Sequence, residues 1–333
     1  RRRYVALIPA TSGAACLMQH GYVTDTLLSV LFDHALHHVF PVANPTMGEQ
    51  LSLIAVGGYG RNELAPQSDI DLLFLVPYKR TPRVEQVTEF ILYLLWDLGL
   101  KVGHAVRTAD ECIRTAKADG QIRTGLLEMR AIAGEPALYA DLRRRFVREV
   151  MNGTAQPFIA EKLAERDKRH QKLGDSRYLV EPNVKDGKGG LRDLHVLFWI
   201  AKDLYQVDDI AELVTRGVFT QSEAETFARC AQFLWMVRCN LHYATGRPEE
   251  RLTFDLQPEI GRRMGYADRR GNLAVERFMK HYFHTAKAVG DLSRIFTAAI
   301  EADLRRTSMA GRLKYRFGRR ALEGFAEDGG MLD

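Results

Sequence analysis

Apolar and polar residues follow one another in the first part of the chain in a way that predicts strands and helices in turn. Short, mostly apolar runs bounded by glycine or proline have the length of strands. Residues 83–98 carry apolar side chains at helical spacing and stop before Gly99, a residue type common just after a helix. The predicted strands are residues 51–56, 70–76 and 101–107. This order predicts a small unit of the α/β or α+β class.

From about residue 109 onward, apolar side chains recur mainly at helical spacing. A further helical pattern, residues 24–40 with Thr24 as its N-cap, precedes the first strand. Pro182 and three glycines interrupt the helical part at residues 178–191, because these residue types do not suit a helix interior. The predicted helices are residues 109–118, 121–133, 135–150, 155–172, 190–206, 220–245 and 272–303. The predicted fold class is therefore α+β, a small mixed-sheet domain followed by an α-helical bundle domain.

Composition and charge narrow the class of protein only a little. Hydrophobic residues make up 46% of the 333 residues and charged residues 27%, which is ordinary for a globular protein. The net charge of +5 suits an acidic partner such as a nucleotide, but it is too small to indicate nucleic-acid binding. The four cysteines include no C-x-x-C pair, and no apolar run is long enough to cross a bilayer. We therefore expect a cytoplasmic protein that binds neither membranes nor nucleic acid.

The strongest chemical signal is a pair of aspartates where the second predicted strand begins. Side chains alternate along a strand, so Asp69 and Asp71 lie on the same face. Two carboxylates this close repel each other unless a cation lies between them. Mg²⁺ prefers one or two carboxylates and completes its shell with phosphate oxygens and water. The pair therefore predicts a site for Mg²⁺, with Mn²⁺ as a substitute.

A glycine-rich loop precedes the aspartates and predicts a place for phosphate. Gly57 and Gly58 have no Cβ atom, so their backbone N–H groups can approach phosphate oxygens closely. Arg61 is placed to add charge-assisted contacts, and Ser68 can donate a hydrogen bond. Either motif alone is common and uninformative. Together, at the end of one strand and the start of the next, they predict a nucleotide site.

A second glycine-rich loop opens the helix predicted at residue 190. The first turn of a helix offers N–H groups and a positive dipole end, which favour an anion. Lys185, Lys188 and Arg192 add three cations to the same segment. This segment predicts a second contact with the triphosphate, and Asp193 is expected to hold Arg192 or Lys185 in place.

Both segments resemble one family. VGGYGRNELAPQSDIDLLFL is similar to the signature of the polymerase-β-type nucleotidyltransferase superfamily, and more closely to the uridylyltransferase domain of the PII uridylyltransferase/uridylyl-removing family. LVEPNVKDGKGGLRDLHVLFWIAK resembles the second signature of that family. The resemblance implies transfer of UMP from UTP to a tyrosine of the PII nitrogen-signalling protein, with Mg²⁺ bound by Asp69 and Asp71. The nucleotide-binding residues that it implies are Gly57, Gly58, Arg61, Ser68, Lys185 and Arg192.

The resemblance also implies a division into domains. Residues 1–45 are expected to form an N-terminal helical segment, 46–150 the nucleotidyltransferase domain, 151–303 a helical domain that completes the nucleotide site, and 304–333 a linker. The linker would lead towards a phosphohydrolase domain that this sequence does not contain. We therefore expect a transferase part that cannot remove uridylyl groups by itself.

The third acidic residue usual in the superfamily is not evident. Residues 101–107 contain no acid, and His104 stands where one would be sought. Two interpretations of His104 stay open: a catalytic general base, since imidazole titrates near neutral pH, or a strand residue with a structural hydrogen bond. The missing acid also leaves room for a nucleotide-binding regulatory module without catalysis. A further alternative is an adenylyltransferase that acts on another protein, such as glutamine synthetase.

Overall fold

The computed structural model describes the backbone of residues 13–44, 46–269 and 271–323, and side chains from residue 16 to residue 303 within these ranges. Over these residues the chain is α+β, as predicted, with a four-stranded sheet beside a larger helical region. The strands are β1 (Ser52–Ala55), β2 (Ile70–Val76), β3 (Val102–Thr108) and β4 (Arg130–Gly134). The first helices are α1 (Gly13–His34), α2 (Gly57–Gly60), α3 (Pro82–Asp97), α4 (Ala109–Ala118), α5 (Gly120–Leu127) and α6 (Pro136–Phe146). The helical region holds α7 (Ala155–Lys172), α8 (Leu191–Tyr205), α9 (Ala211–Thr215), α10 (Gln221–Thr245), α11 (Gln257–Arg263) and α12 (Ala274–Glu323).

The sheet is mixed, in the order β3-β2-β1-β4. Strand β1 is antiparallel to β2 and β4, whereas β3 is parallel to β2. Because side chains alternate along a strand, the two faces carry different apolar sets. Leu72 packs with Ile91 of α3 on one face, and Leu73 packs with the helical region on the other. Asp69 and Asp71 share the alternation of Leu73, so both carboxylates lie on the face towards the helical region.

Local sequence signals fix the ends of the helices that flank β3. Thr81 caps α3 by accepting a hydrogen bond from the Val84 N–H at 3.3 Å, and Gly99 follows the helix with φ of +71°. Thr108 and Glu111 form a reciprocal capping box at the start of α4. These predicted boundaries are confirmed, and they hold β3 between two well-defined helices.

The first helix begins well before the predicted cap. Thr24 lies inside α1, where its hydroxyl donates to the His20 carbonyl oxygen at 2.8 Å, so its prediction as an N-cap is wrong. The residue that obscured the helix is Gly21, because glycine has low helix propensity. Gly21 is needed for packing: a Cβ atom there would lie 2.3 Å from Oδ1 of Asn62.

The predicted helix 121–133 is wrong in its second half. Helix α5 ends at Leu127, and Arg130–Gly134 pairs with β1 as strand β4. The segment RAIAG has no strong strand signal of its own, so tertiary pairing decides its conformation. Gly134 adopts φ of +97°, which ends the strand against Leu51.

The last helix is longer than predicted. Helix α12 continues to Glu323, across residues 304–323 that the sequence suggested as a linker. Arginine, leucine and alanine, which favour helices, are frequent there. Residues 1–12 and 324–333, the outer parts of the predicted N-terminal segment and linker, lie outside the described residues. Within the described ranges, no helix combines the length and apolar character needed to span a membrane.

Candidate active site

A cleft of about 1000 Å³ runs between the sheet and the helical region. Residues of both glycine-rich segments line it, although these segments are far apart in sequence. The sequence-predicted residues that line the cleft are Gly57, Gly58, Arg61, Ser68, Asp69, Asp71, His104, Lys185 and Arg192. The structure therefore gathers the predicted residues around one space, but it gives them unequal positions within it.

The two aspartates are exposed to the cleft. A Cβ atom at Gly57 would lie 3.5 Å from Oδ2 of Asp71, and one at Gly103 would lie only 2.5 Å from Oδ1. The neighbouring strand therefore needs a glycine at position 103 to leave room for the carboxylate. Partial burial and the charge of Asp69 raise the pKa of Asp71. Among the described residues, neither aspartate has a cationic partner within 4.0 Å, so a metal cation would relieve their repulsion.

The Gly57–Gly60 segment forms a single helical turn directly after β1. Gly57 has φ of +58°, a conformation that side chains with a Cβ atom rarely adopt. A Cβ atom at Gly60 would lie 2.0 Å from the Glu128 carbonyl oxygen, so this glycine lets the turn pack on the start of β4. Within the described part of the chain, the N–H groups of Gly57 and Gly58 make no hydrogen bond. They remain available for an anion.

Arg61 does not extend freely into the cleft, and its side chain is only 9% exposed. Its Nε donates to Glu63 at 2.7 Å, and its Nη1 donates to Glu128. Its Nη2 lies 3.5 Å from Nε2 of His195, and the guanidinium carbon lies 5.8 Å from the centre of the Trp199 ring. Two carboxylates thus neutralise Arg61. The structure does not place it as the free phosphate contact that the sequence predicts.

Arg61, Glu63, Glu128 and His195, here called the wall cluster, also line a second cavity of about 620 Å³. Burial alone would raise the pKa of Glu63, but Arg61 and His195 outweigh it and hold that pKa well below its usual range. Burial raises the pKa of Glu128, which also accepts a hydrogen bond from Trp199 at 2.6 Å. Burial and the charge of Arg61 lower the pKa of His195 to about 3, so its imidazole is neutral near pH 7.

Ser68 is tied to the helical region. Its hydroxyl oxygen accepts a hydrogen bond from Arg238 of α10 at 3.4 Å. Arg238 makes a two-pronged ion pair with Glu250, with N–O distances of 2.9 and 2.6 Å. The Ser68 hydroxyl hydrogen stays free to donate, because the oxygen is the acceptor in this contact.

Most backbone N–H groups of the second glycine-rich loop and of the first turn of α8 are hydrogen-bonded within this segment. Asn183 Oδ1 accepts from the N–H groups of Lys185 and Asp186 at 3.1 and 2.7 Å. The N–H groups of Leu191 and Arg192, at the start of α8, donate to the carbonyl oxygens of Val184 and Lys185. The predicted anion site at the N-terminus of this helix is therefore wrong, since loop carbonyls already occupy these donors.

Lys185 and Arg192 are the cations that the second segment brings to the cleft. Burial and the nearby Arg238 lower the pKa of Lys185. Within the described ranges, no carboxylate lies within 4.0 Å of its ammonium. Arg192 lies 3.2 Å from Asp186, and its guanidinium carbon lies 5.5 Å from the centre of the Trp199 ring. Lys185 is thus the less compensated of the two.

Asp193 and Lys188 do not do what the sequence suggested. Buried Asp193 accepts hydrogen bonds from Arg169 at 2.5 Å, His170 at 2.8 Å and the Gly189 N–H at 2.8 Å. It therefore anchors the loop to α7 instead of holding Arg192 or Lys185. Lys188 pairs with Asp175 at 2.7 Å and lines a different cavity.

His104 lies on the other face of the sheet from Asp71. The strand register pairs Gly103 with Asp71 and His104 with Leu72. Paired residues share a face, and the His104 ring accordingly contacts Trp96 of α3 at a centroid distance of 6.3 Å. Of the two interpretations of His104, the geometry favours a strand residue in a structural contact over a general base.

The residues that organise the cleft wall were not predicted from the sequence. Glu63 lies inside the first signature segment, but nothing singled it out from its neighbours. Glu128 and Arg238 belong to segments predicted as ordinary helix, and His195 lies inside the second signature segment without a role assigned to it. Arg107 shares the Asp71 face of β3 and lines the cleft, although the sequence pattern of that strand did not single it out.

Comparisons with known protein families agree with this geometry. A family model described as GlnD PII-uridylyltransferase matches residues 157–297, which include the second glycine-rich loop. A model described as nucleotidyltransferase domain matches residues 45–132, which include the aspartate pair.

Curated relatives match almost the whole chain. The chain is 58% identical over 324 residues to a bifunctional uridylyltransferase/uridylyl-removing enzyme of Azospirillum brasilense, covering 97% of this chain and 35% of the relative. The enzyme of the same name from Rhodospirillum rubrum is 54% identical over 332 residues, covering 100% of this chain and 35% of the relative. The chain thus spans about a third of the length of these relatives. The chain is thus similar, over almost its whole length, to about a third of these bifunctional uridylyltransferase/uridylyl-removing enzymes, and residues 45–132 match a nucleotidyltransferase domain.

Proposed function

We propose that this region transfers UMP from UTP to a tyrosine hydroxyl of the PII nitrogen-signalling protein and releases pyrophosphate. One observation carries the proposal: a cleft joins the exposed aspartate pair to Gly57-Gly58 and to Lys185, which has no carboxylate within 4.0 Å among the described residues. In this proposal residues 46–150 form the nucleotidyltransferase domain, and residues 151–303 complete the nucleotide site.

The aspartate pair suits Mg²⁺, with Mn²⁺ as a substitute. Asp69 and Asp71 are exposed on one face, have no cationic partner within 4.0 Å among the described residues, and repel each other. They would supply carboxylate oxygens to the metal, with phosphate and water oxygens completing the shell. Bound there, Mg²⁺ would neutralise charge that develops on the pyrophosphate leaving group.

The remaining polar groups of the cleft suit the triphosphate. The N–H groups of Gly57 and Gly58 and the Ser68 hydroxyl are donors without a competing acceptor among the described residues. Lys185 and Arg192 bring positive charge from the helical region. A triphosphate would thus be held between the two parts of the molecule, with Arg61 supporting the cleft wall rather than touching phosphate.

The proposed UMP transfer is a single displacement at the α-phosphorus of UTP. The tyrosine oxygen forms a bond to the α-phosphorus while the bond from that phosphorus to the pyrophosphate oxygen breaks, and the phenolic proton is released. The chain's own contribution is to hold the reacting groups in line and to stabilise negative charge on the phosphates. The His104 ring packs with Trp96 on the face away from Asp71, so no general-base role is assigned to it.

A labelling experiment tests the proposal. Incubation with UTP labelled at the α-phosphate should label wild-type PII but not a PII variant whose acceptor tyrosine is replaced by phenylalanine. Labelled ATP in place of UTP tests the adenylyltransferase alternative. Labelling from ATP but not from UTP would overturn the assignment of the donor.

One observation favours a nucleotide-binding module without catalysis. Among the described residues, no group of three or more histidine, cysteine or acidic side chains is arranged to hold a metal ion, so the pair lacks a third acid. That function predicts tight UTP binding with no release of pyrophosphate in the presence of PII. Measured pyrophosphate release from UTP would exclude it.

A further inference from the structure

Strand β3 is an edge strand with one unused side. Among the described residues it pairs with β2 alone, and the Ile70 N–H donates to the Lys101 carbonyl oxygen at 2.9 Å. In a parallel pair, alternate residues direct their N–H and C=O groups to the partner strand. Residues 101, 103, 105 and 107 therefore bond towards β2, and Val102, His104 and Val106 direct their backbone groups outward.

The outward groups have no partner within the described part of the chain. None of the backbone N–H or C=O groups of Val102, His104 and Val106 makes a hydrogen bond outside the sheet. Thr108 is the next residue whose backbone groups are directed outward, and its N–H donates to the Glu111 side chain instead of to β2. This contact agrees with the outward direction of the alternate residues, and it marks the end of the open edge. Three residues of unpaired backbone thus lie directly beside the candidate active site. An exposed strand edge of this kind is a template for an added strand.

The register places this edge within reach of Asp71. Gly103 pairs with Asp71 and lies on the same face of the sheet. A residue added beside Gly103 would lie two strand spacings from Asp71, roughly 10 Å between backbones. Because Gly103 has no side chain, a long side chain from the added strand can cross it towards the aspartates. A side chain at position 103 would block that path.

Charge and space select the kind of segment that fits. Arg107 of β3 and Lys101, directly before the strand, stand on either side of Gly103 and line the same cleft as Asp71. The cleft continues along β3 to a far wall that includes Asp119 and Glu165. Both of these acids are already used: Asp119 caps α5, and Glu165 pairs with Lys162 at 3.0 Å. Lys101 and Arg107 therefore favour an acidic segment.

We propose that the free edge of β3 binds an extended, acidic segment of the acceptor protein as an added strand, with its tyrosine beside Gly103. This inference rests on the proposed function, because it explains how the hydroxyl reaches the aspartates. Backbone hydrogen bonds to His104 and its outward neighbours hold the segment, and the cations on either side of Gly103 select its charge. Specificity for the protein acceptor thus lies on β3, apart from the nucleotide-binding groups.

A matched pair of variants tests the edge. His104→Pro removes an outward N–H donor without removing a bond to β2, whereas His104→Ala keeps that donor. In the intact enzyme with UTP and PII, we expect His104→Pro to raise the KM for PII about tenfold while the KM for UTP stays within about twofold, as one lost backbone hydrogen bond and a disturbed edge imply. His104→Ala should leave both values within about twofold. Equal KM values for PII in the two variants would overturn the proposal.

Hydrogen exchange in the wild-type protein gives a test that does not depend on the folding of a variant. Saturating PII should slow exchange of the amides of residues 102, 104 and 106, while those of 103, 105 and 107 stay protected with or without PII. Unchanged exchange at the outward amides, or protection already complete without PII because another segment covers the edge, would contradict the added strand. If the wild-type protein transfers UMP to PII and the outward amides are unaffected, this inference alone fails. If it transfers nothing from UTP, the proposed function fails.

Discussion

Two charged clusters face the cleft, and they differ in whether their charges are paired within the protein. In the wall cluster, Arg61 is buried between Glu63 and Glu128, with His195 held neutral beside them. In what we call the open cluster, Asp69, Asp71 and Lys185 have no opposite charge within 4.0 Å among the described residues. One cluster satisfies its own charges, and the other leaves them for a ligand.

Structural and functional charges can be told apart by whether the fold supplies them with an opposite charge. Arg61 lies in the signature segment beside the glycines and resembles a phosphate ligand in sequence. Its carboxylate partners come from positions 63 and 128, so its role depends on residues that only the fold brings to it. Lys185 lies in a loop whose backbone bonds mainly to itself and to α8, yet among the described residues its ammonium has no carboxylate within 4.0 Å. We infer that the open cluster binds the substrate and that the wall cluster stabilises the structure of the cleft.

Asp71→Asn should have the largest effect, because it breaks the open cluster at its centre. Removal of a metal-binding charge is expected to lower the rate of UMP transfer to PII about 1000-fold or more. Stability should not fall, since the substitution also removes the repulsion from Asp69. Initial rates with labelled UTP and a thermal melt measure the two effects. Labelling at near wild-type rates with Asp71→Asn would show that the metal site is assigned wrongly.

Glu128→Gln tests the wall cluster and should act on stability. Breaking a buried ion pair leaves Arg61 under-compensated and typically costs about 3–5 kcal/mol. The matched change Glu63→Gln should cost less, about 1 kcal/mol, because the Glu63 side chain is 28% exposed whereas Glu128 is 1% exposed. Urea unfolding of the two variants measures the difference. Equal losses of stability would contradict the view that the wall cluster depends on its buried member.

Lys185→Met tests the open cluster from the side of the helical region. Loss of an uncompensated ammonium should raise the KM for UTP about 10–100-fold, since a charge-assisted phosphate contact is removed. Methionine fills a similar volume, so stability should stay within about 1 kcal/mol of wild type. The corresponding change Lys188→Met is the control, because Lys188 pairs with Asp175 away from the cleft. If both variants bind UTP equally well, the contact of Lys185 with phosphate is refuted.

His195 should make the unfolding free energy depend on pH. Its pKa is lowered to about 3 in the fold, below the value of about 6.5 expected when unfolded. The folded protein therefore binds fewer protons than the unfolded chain between these values, and stability falls as the pH falls through this window. This group should lower the unfolding free energy by about 2 kcal/mol between pH 7 and pH 5. In the His195→Gln variant the unfolding free energy should therefore fall by about 2 kcal/mol less over this pH range. The pKa values of His242 and His281 are also lowered, but both residues are present in the two proteins and do not affect the comparison. An unchanged pH slope in the variant would count against the burial of a neutral imidazole.

The sequence was sufficient where short-range rules govern. Strand β2 and the helix between Thr81 and Gly99 follow from apolar patterns and capping residues. It was insufficient where a distant partner decides: β4 is a strand because β1 is beside it, and the start of α1 was hidden by Gly21, which packs on Asn62. For the site, the aspartates and glycines were recognisable because their spacing is local. The wall cluster was not, because it joins positions 61, 63, 128 and 195.

His104→Ala is expected to have the smallest effect, and it sharpens the distinction between the two faces of one strand. A general base lowers the barrier enough that its removal typically costs about 100-fold or more in rate. The His104 ring instead contacts Trp96 on the face away from Asp71, so the rate of UMP transfer should stay within about twofold of wild type across pH 6 to 9. A pH–rate profile for both proteins measures this. A rate lower by two orders of magnitude in the variant would restore His104 as the base.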